Sequence, residues 1–249
     1  MKPYICPVNE NSNKTIGDKH MNTSIDQKLQ ALAESDYKLF NERIIPTNYE
    51  IMGIRMPALK KLAKELSTGP QIETYLENAV YDKYEHILLY GLVLGQLNKP
   101  SLEMLFRYLD PLILKFDNWA HVDTIISALK IFKKYPEEAL THFLPLKTHE
   151  GEFTKRVFVI FLMDYYMDEK HIDHALKHMS EVPQGQYYVD MAIAWAISYG
   201  LIKFYDKTVS KLEQMVFSQF VHNKAIQKAR ESFRITPEVK EHLNGMKIK

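Results

Sequence analysis

The stretch NWAHVDTII, residues 118–126, begins like an amphipathic helix, because its apolar side chains recur three and four residues apart. Trp119 and Asp123 are four residues apart in it, so on a helix they share one face. The stretch is one of five helix openings that start roughly 35 residues apart, a length typical of stacked helix pairs. These openings are Glu85-His86-Ile87-Leu88, Trp119-Ala120-His121-Val122, Arg156-Val157-Phe158-Val159, Met191-Ala192-Ile193-Ala194 and Ala225-Ile226-Gln227-Lys228.

This period predicts an all-α protein, an α-solenoid of HEAT-like helical repeats. In such a stack one helix of each pair lies on the convex side and the other lines a concave face, where a row of side chains can meet an extended partner. Sequence identity between the repeats is low, so a compact irregular helical bundle stays open as the alternative.

The rest of the chain also favours helices. Glycine is scarce, with 9 in 249 residues, and alternating apolar stretches bounded by hairpin turns are absent. The candidate helices include Ile25 to Ala33, Met56 to Leu66, Tyr84 to Gln96, Ser101 to Ile113, Trp119 to Phe132, Glu137 to Leu144, Glu152 to Tyr166, Ile172 to Met179, Tyr187 to Ser198, Lys203 to Val216 and Asn223 to Ser232.

Composition places the chain among folded proteins, with 46% hydrophobic and 25% charged residues. We expect a flexible leader over residues 1–23, where apolar residues follow no period, and a single repeat domain over 24–249. Cys6 is the only cysteine, which excludes an internal disulfide and fits a reducing cytosol. No stretch approaches the ~18 apolar residues of a membrane span, so we expect a cytoplasmic protein without a membrane partner.

The net charge of +1 is unevenly divided along the sequence. Residues 220–249 carry seven Lys or Arg and three acids, which gives +4, and the remainder of the chain carries −3. A basic end on a neutral body suits an anionic partner, although a solvated basic helix would look the same.

Four side chains on three successive inner helices are the candidate functional residues: Trp119, Asp123, Arg156 and Trp195. We expect them to converge on the concave face, because Asp and Arg are seldom buried without a partner. The alternatives are that the tryptophans are core residues and that Asp123 and Arg156 form a structural ion pair. Phosphate-binding loops, dinucleotide fingerprints and metalloprotease motifs are absent from the sequence. The closely spaced His171 and His174 favour an exposed polar helix start over a metal site.

Five segments carry a resemblance to a known family: GIRMPALKKLAKEL (53–66), NWAHVD (118–123), TKRVFVIFLMDYY (154–166), YYVDMAIAWAIS (187–198) and NKAIQKARESFRI (223–235). In this order they resemble the AlkD-like DNA alkylation repair glycosylases, which are built from HEAT-like repeats. The resemblance implies a concave DNA-binding face and double-stranded DNA, alkylated or distorted, as the partner. It also implies a monomer that is nucleoid-associated when bound, with no metal or organic cofactor.

The resemblance further implies a DNA glycosylase that excises cationic N3- or N7-alkylated purines. Asp123 would be its catalytic carboxylate, which stabilises an oxocarbenium-like transition state, with Trp119, Arg156 and Trp195 beside it. The side chains expected at the DNA backbone are Lys155, Arg156, Lys224, Lys228, Arg230 and Arg234. Ala120 and Ser198 depart from the excising pattern, which keeps open a non-catalytic protein that binds bent, branched or damaged DNA. A solenoid scaffold for proteins is a third possibility on fold class alone.

Overall fold

The computed structural model describes residues 16–214 and 216–249, with side chains from residue 23 onward. Within these residues the chain forms fourteen α-helices and no β-strand, which confirms the predicted all-α class. Of the predicted leader, residues 1–15 lie outside the described residues. Helix α1 begins at Ile16, earlier than the sequence suggested. No helix in the part of the chain described here is both long and apolar enough to cross a membrane.

The described backbone divides into two compact units, with the boundary between residues 131 and 132. The single domain over 24–249 stays a prediction. The described part of unit 1 contains α1 (Ile16–Leu32), α2 (Ser35–Ile44), α3 (Met56–Ser67), α4 (Ile72–Asn78), α5 (Tyr84–Leu94), α6 (Leu102–Ile113) and α7 (Trp119–Ala128).

Helix α5 is the centre of unit 1, packed between α3 and α7, and every one of its residues is buried. Because both faces are covered, its sequence is apolar nearly throughout rather than striped. Gly91 lets α7 approach closely, since a Cβ added there would come within 2.4–2.6 Å of the Ile125 side chain. The position of α7 therefore depends on a missing methyl group in α5.

The loop before α3 is held by a buried carboxylate of α5. Glu85 accepts hydrogen bonds from the backbone N–H groups of Met52, Gly53 and Ile54, at 2.8, 2.8 and 3.2 Å. Gly53 has a φ of +86°, and a Cβ added there would come 2.5 Å from the carbonyl oxygen of Glu34. Charge-assisted hydrogen bonds of this kind are stronger than neutral ones, so the buried charge fixes the loop.

Unit 2 is also built around a central helix that packs between two others. Its helices are α8 (Pro136–Phe143), α9 (Glu152–Phe161), α10 (Ile172–Ser180), α11 (Tyr187–Lys203), α12 (Tyr205–Glu213), α13 (Gln219–Arg230) and α14 (Pro237–Gly245), with a π-helical turn (Leu162–Tyr166) directly after α9. Helix α11 packs between α9 and α13, and these three begin at residues 152, 187 and 219, close to the predicted period. In both units, alternate helices of the chain lie side by side.

Candidate active site

Trp119 and Asp123 lie in the first two turns of α7, and both side chains are partly exposed. The helix begins at Trp119 because the Asn118 side chain caps it: Asn118 Oδ1 accepts the His121 N–H at 2.9 Å. Asn is among the residues most favoured at this position, since its side chain satisfies an N–H group that has no partner within the helix. The indole and the carboxylate are therefore presented from a defined helix start.

The residue before this cap ties the start of α7 to a distant loop. The Asp117 carboxylate accepts hydrogen bonds from Thr47 Oγ1 at 2.8 Å, from the Asn48 N–H at 2.6 Å and from Asn118 Nδ2 at 2.7 Å. Thr47 and Asn48 are about seventy residues away in the chain. The first turn of α7 is thus held from outside the helix as well as by its own cap.

His121 is the third member of this network, and its imidazole ring is buried and uncharged. Its Nδ1 lies 2.9 Å from Asn118 Nδ2, which can only donate, and its Nε2 lies 3.1 Å from the Tyr84 carbonyl oxygen, which can only accept. The ring therefore carries its proton on Nε2, and it stacks on the Tyr84 ring with centroids 4.8 Å apart. Burial lowers the pKa of His121 to about 4, so the ring is neutral near pH 7.

In unit 2, the start of α9 holds the start of α11. Arg156 is buried and its Nη1 donates to the Tyr188 carbonyl oxygen, while Lys155 is buried and donates to Gln186 Oε1 at 2.6 Å. The Glu152 carboxylate accepts the Tyr188 N–H at 2.6 Å. Both predicted DNA-binding cations of α9 thus have structural partners, and their contact with phosphate stays a prediction.

Trp195 lies on α11 and is 40% exposed, although its neighbours Ala194 and Ala196 are fully buried. An indole exposed to this extent is not serving as a core residue. Ser198, three residues on, is buried, and its hydroxyl donates to the Trp195 carbonyl oxygen at 2.7 Å. Helix α11 therefore presents an indole outward at this point and keeps the serine inside.

The predicted C-terminal cations lie on α13 and in the turn after it. Lys224 donates to Gln227 Oε1 at 2.9 Å, and Arg230 donates to Asn244 Oδ1 of α14 at 2.8 Å. Lys228 is partly exposed and Arg234 is exposed. These cations are available at the surface to different degrees, and Arg234 is the most open of them.

A row of aromatic rings lies at the starts of α9, α11 and α13, and it was not predicted from the sequence. Phe153 contacts Tyr188 at 5.2 Å between centroids, Tyr188 contacts Tyr187 at 5.1 Å, and Tyr187 contacts Phe220 at 6.1 Å. Tyr187 is 58% and Phe220 41% exposed. The signal was present as an aromatic side chain within the first two residues of each helix. Exposed rings of this kind can stack on nucleobases.

Trp119 and Asp123 lie on α7 of unit 1, whereas Arg156 and Trp195 lie on α9 and α11 of unit 2, two helices that pack against each other. The prediction that all four side chains share one groove spans both units and stays a prediction.

A family model described as DNA alkylation repair enzyme matches residues 25–234, a range that includes every candidate residue named above. The chain belongs to the DNA alkylation repair enzyme family, which supports a role in the repair of alkylated DNA. Neither the search of curated proteins nor that of solved structures gave a match.

Proposed function

We propose that this protein is a DNA glycosylase that removes positively charged N3- or N7-alkylated purines from duplex DNA. The observation that carries the proposal is the pair Trp119 and Asp123, partly exposed at a doubly anchored helix start, in a member of a DNA alkylation repair family. The proposal includes an α-solenoid of HEAT-like repeats whose concave face binds DNA. The side-by-side packing of alternate helices within each unit supports it.

In the proposed reaction the departing base needs little protonation. Alkylation at N3 or N7 gives the purine a positive charge, and when the C1′–N bond breaks its electron pair passes to the purine, which leaves neutral. Positive charge then develops on the deoxyribose, and a fixed carboxylate stabilises that charge more than it stabilises the ground state. Asp123 takes this role. Water adds to C1′, and its proton passes to Asp123 or to solvent.

The other candidate residues supply binding. The electron-rich faces of Trp119 and Trp195 attract a cationic base or sugar, each contributing about 0.5–2 kcal/mol according to desolvation. Lys155 and Arg156 would hold phosphates near the reacting nucleotide. Lys224, Lys228, Arg230 and Arg234 would bind the DNA backbone without regard to sequence, and with an affinity that falls steeply as salt rises.

The test is base release from a duplex that carries 7-methylguanine. The wild-type protein is expected to release the base, and Asp123→Asn should lower the single-turnover rate by about tenfold or more while DNA affinity stays nearly constant. Asp206→Asn, at an exposed position of α12, is the matched control and should leave the rate unchanged. Folded wild-type protein that releases no base above background would reject the enzymatic function.

A second candidate function is favoured by Ala120 and Ser198. Ala120 has no polar side chain, and the Ser198 hydroxyl donates within its own helix, so neither supplies the charged side chain that the excising pattern has at these positions. A protein of this kind would bind bent, branched or damaged DNA by shape without excision. It predicts a preference for junction DNA over linear duplex, whereas equal affinity for the two would count against it.

A further inference from the structure

The turn between α13 and α14 is short and firmly built. The Ser232 N–H donates to the Ala229 carbonyl oxygen at 3.0 Å, and Ser232 Oγ accepts the Arg234 N–H at 3.2 Å. Ile235 is buried beneath the turn, and the Thr236 side chain caps α14. The apex, formed by residues 233 and 234, therefore has a defined direction.

Phe233 stands at this apex with its side chain wholly in solvent, at 102% of the reference exposure. The other phenylalanines nearby behave differently: Phe217 is buried and Phe220 takes part in the aromatic row. Large apolar side chains gain by leaving water, so a rigid turn that holds a phenyl ring outward is suited to a partner that accepts the ring.

The surroundings of Phe233 indicate which partner. Residues 228–234 contain three cations and one acid, and Arg234 beside the ring is exposed. A membrane-inserting tip would carry further apolar side chains at its apex, and a protein-binding anchor would lie at the centre of an apolar patch. Phe233 instead has polar and charged neighbours in the chain. This combination fits duplex DNA, a polyanion whose stacked bases form an apolar interior.

We propose that Phe233 is a wedge that inserts between adjacent base pairs of duplex DNA, while Arg234 and Lys228 bind the flanking phosphates. Apolar wedges among cations unstack a base step in this way in proteins that bend DNA. The cost of insertion is lowest where stacking is already weak, so the wedge would favour damaged steps. The inference rests on the proposed function only in taking DNA as the partner, and it does not require base release.

The test uses the full chain and undamaged duplexes in which 2-aminopurine replaces one adenine at successive positions, because its fluorescence rises when it is unstacked. Wild-type protein at saturation is expected to raise the fluorescence of these duplexes, at more than one position because binding does not depend on sequence. Phe233→Ala should abolish the rise and weaken DNA affinity by about tenfold. Since the Phe233 side chain is wholly in solvent, this variant should fold with unchanged stability.

Two further variants complete the experiment. Tyr135→Ala removes another exposed aromatic side chain of unit 2, 43% exposed, and should behave like wild type. Arg234→Ala should weaken binding and reduce its salt dependence by about one phosphate contact, yet keep the fluorescence rise at saturation.

Equal fluorescence with wild type and Phe233→Ala at saturation would overturn the wedge. So would binding to anionic vesicles that depends on Phe233 without any unstacking of DNA. A fluorescence rise in this experiment, together with no base release from the 7-methylguanine duplex, would reject only the glycosylase.

Discussion

Acid should destabilise this protein in part through one buried side chain, His121. Burial lowers its pKa to about 4 in the folded state, against the ordinary value of 6.5. The unfolded chain therefore binds one more proton than the folded chain between these two values, so stability is fully present above pH 6.5 and falls as the pH drops toward 4. A difference of this size corresponds to about 3 kcal/mol in the free energy of unfolding.

The measurement is urea unfolding from pH 7.5 to pH 4.5, compared between wild type and His121→Gln. Glutamine can still donate to the Tyr84 carbonyl oxygen, but it lacks the ring that stacks on Tyr84, so the variant should be less stable at pH 7.5. Because glutamine does not titrate, the variant should also be less sensitive to acid. The wild type should lose about 2–3 kcal/mol more than the variant over this range. Titrating groups that do not contact His121, including His178 with its lowered pKa, contribute equally to both proteins and cancel.

The control is His174→Gln, since this histidine is exposed on α10. Its loss of stability between pH 7.5 and pH 4.5 should be much closer to that of wild type than to that of His121→Gln. If the curves of wild type and His121→Gln run parallel instead, the pKa of His121 is not lowered in the folded protein.

Two further predictions concern the elements that hold α7 and the loop before α3. Gly91→Ala should lower the free energy of unfolding by about 1–2 kcal/mol, because overpacking against α7 outweighs the better helix propensity of alanine. Its melting temperature should fall by roughly 2–8 °C, whereas Gly245→Ala, with open space around it, should not destabilise; equal melting temperatures would contradict the close approach. Glu85→Gln leaves one acceptor oxygen for the three N–H groups of residues 52–54 and should cost roughly 2–4 kcal/mol in chemical denaturation, while Glu103→Gln at an exposed site should cost almost nothing. A loss at Glu85 as small as the loss at Glu103 would show that the carboxylate does not hold this loop.

Most helices could be predicted from the sequence because they bury apolar faces, and three helices could not. Helix α2 buries only Asn41 and α14 only Leu243, so neither shows an apolar stripe. Helix α4 has seven residues, fewer than a clear period needs. Contacts made elsewhere in the chain stabilise such elements, and these contacts are invisible to a reading of local periodicity.

Helix α11 shows how a tertiary contact overrides local preference. Its predicted end was Ser198, yet the helix continues to Lys203 through Gly200. Glycine weakens an isolated helix, but here a Cβ would come 2.7 Å from Thr208 Oγ1. The residue that looks like a helix end is thus the one that lets α11 and α12 approach.

The candidate site could be predicted only in part, because some of its features are local in the sequence and others depend on tertiary contacts. The spacing of Trp119 and Asp123 is local, and a helix was enough to place them on one face. The roles of Lys155 and Arg156 as buried donors to the start of α11 depend on residues about thirty positions away. A cation in a repeat looks the same in sequence whether it holds a phosphate or a neighbouring helix.

His121 gives the strongest link between the fold and the proposed chemistry. A carboxylate stabilises a developing positive charge well only if it is held in place beforehand and its own charge is not cancelled nearby. The network of Asp117, Asn118 and His121 meets the first condition, because it fixes the start of α7 from three directions. The buried neutral ring serves the second, since a protonated imidazole two residues before Asp123 would add a positive charge to the same helix start. The burial that makes the protein sensitive to acid is therefore also what allows His121 to stabilise the helix start that carries Asp123 without adding a positive charge there.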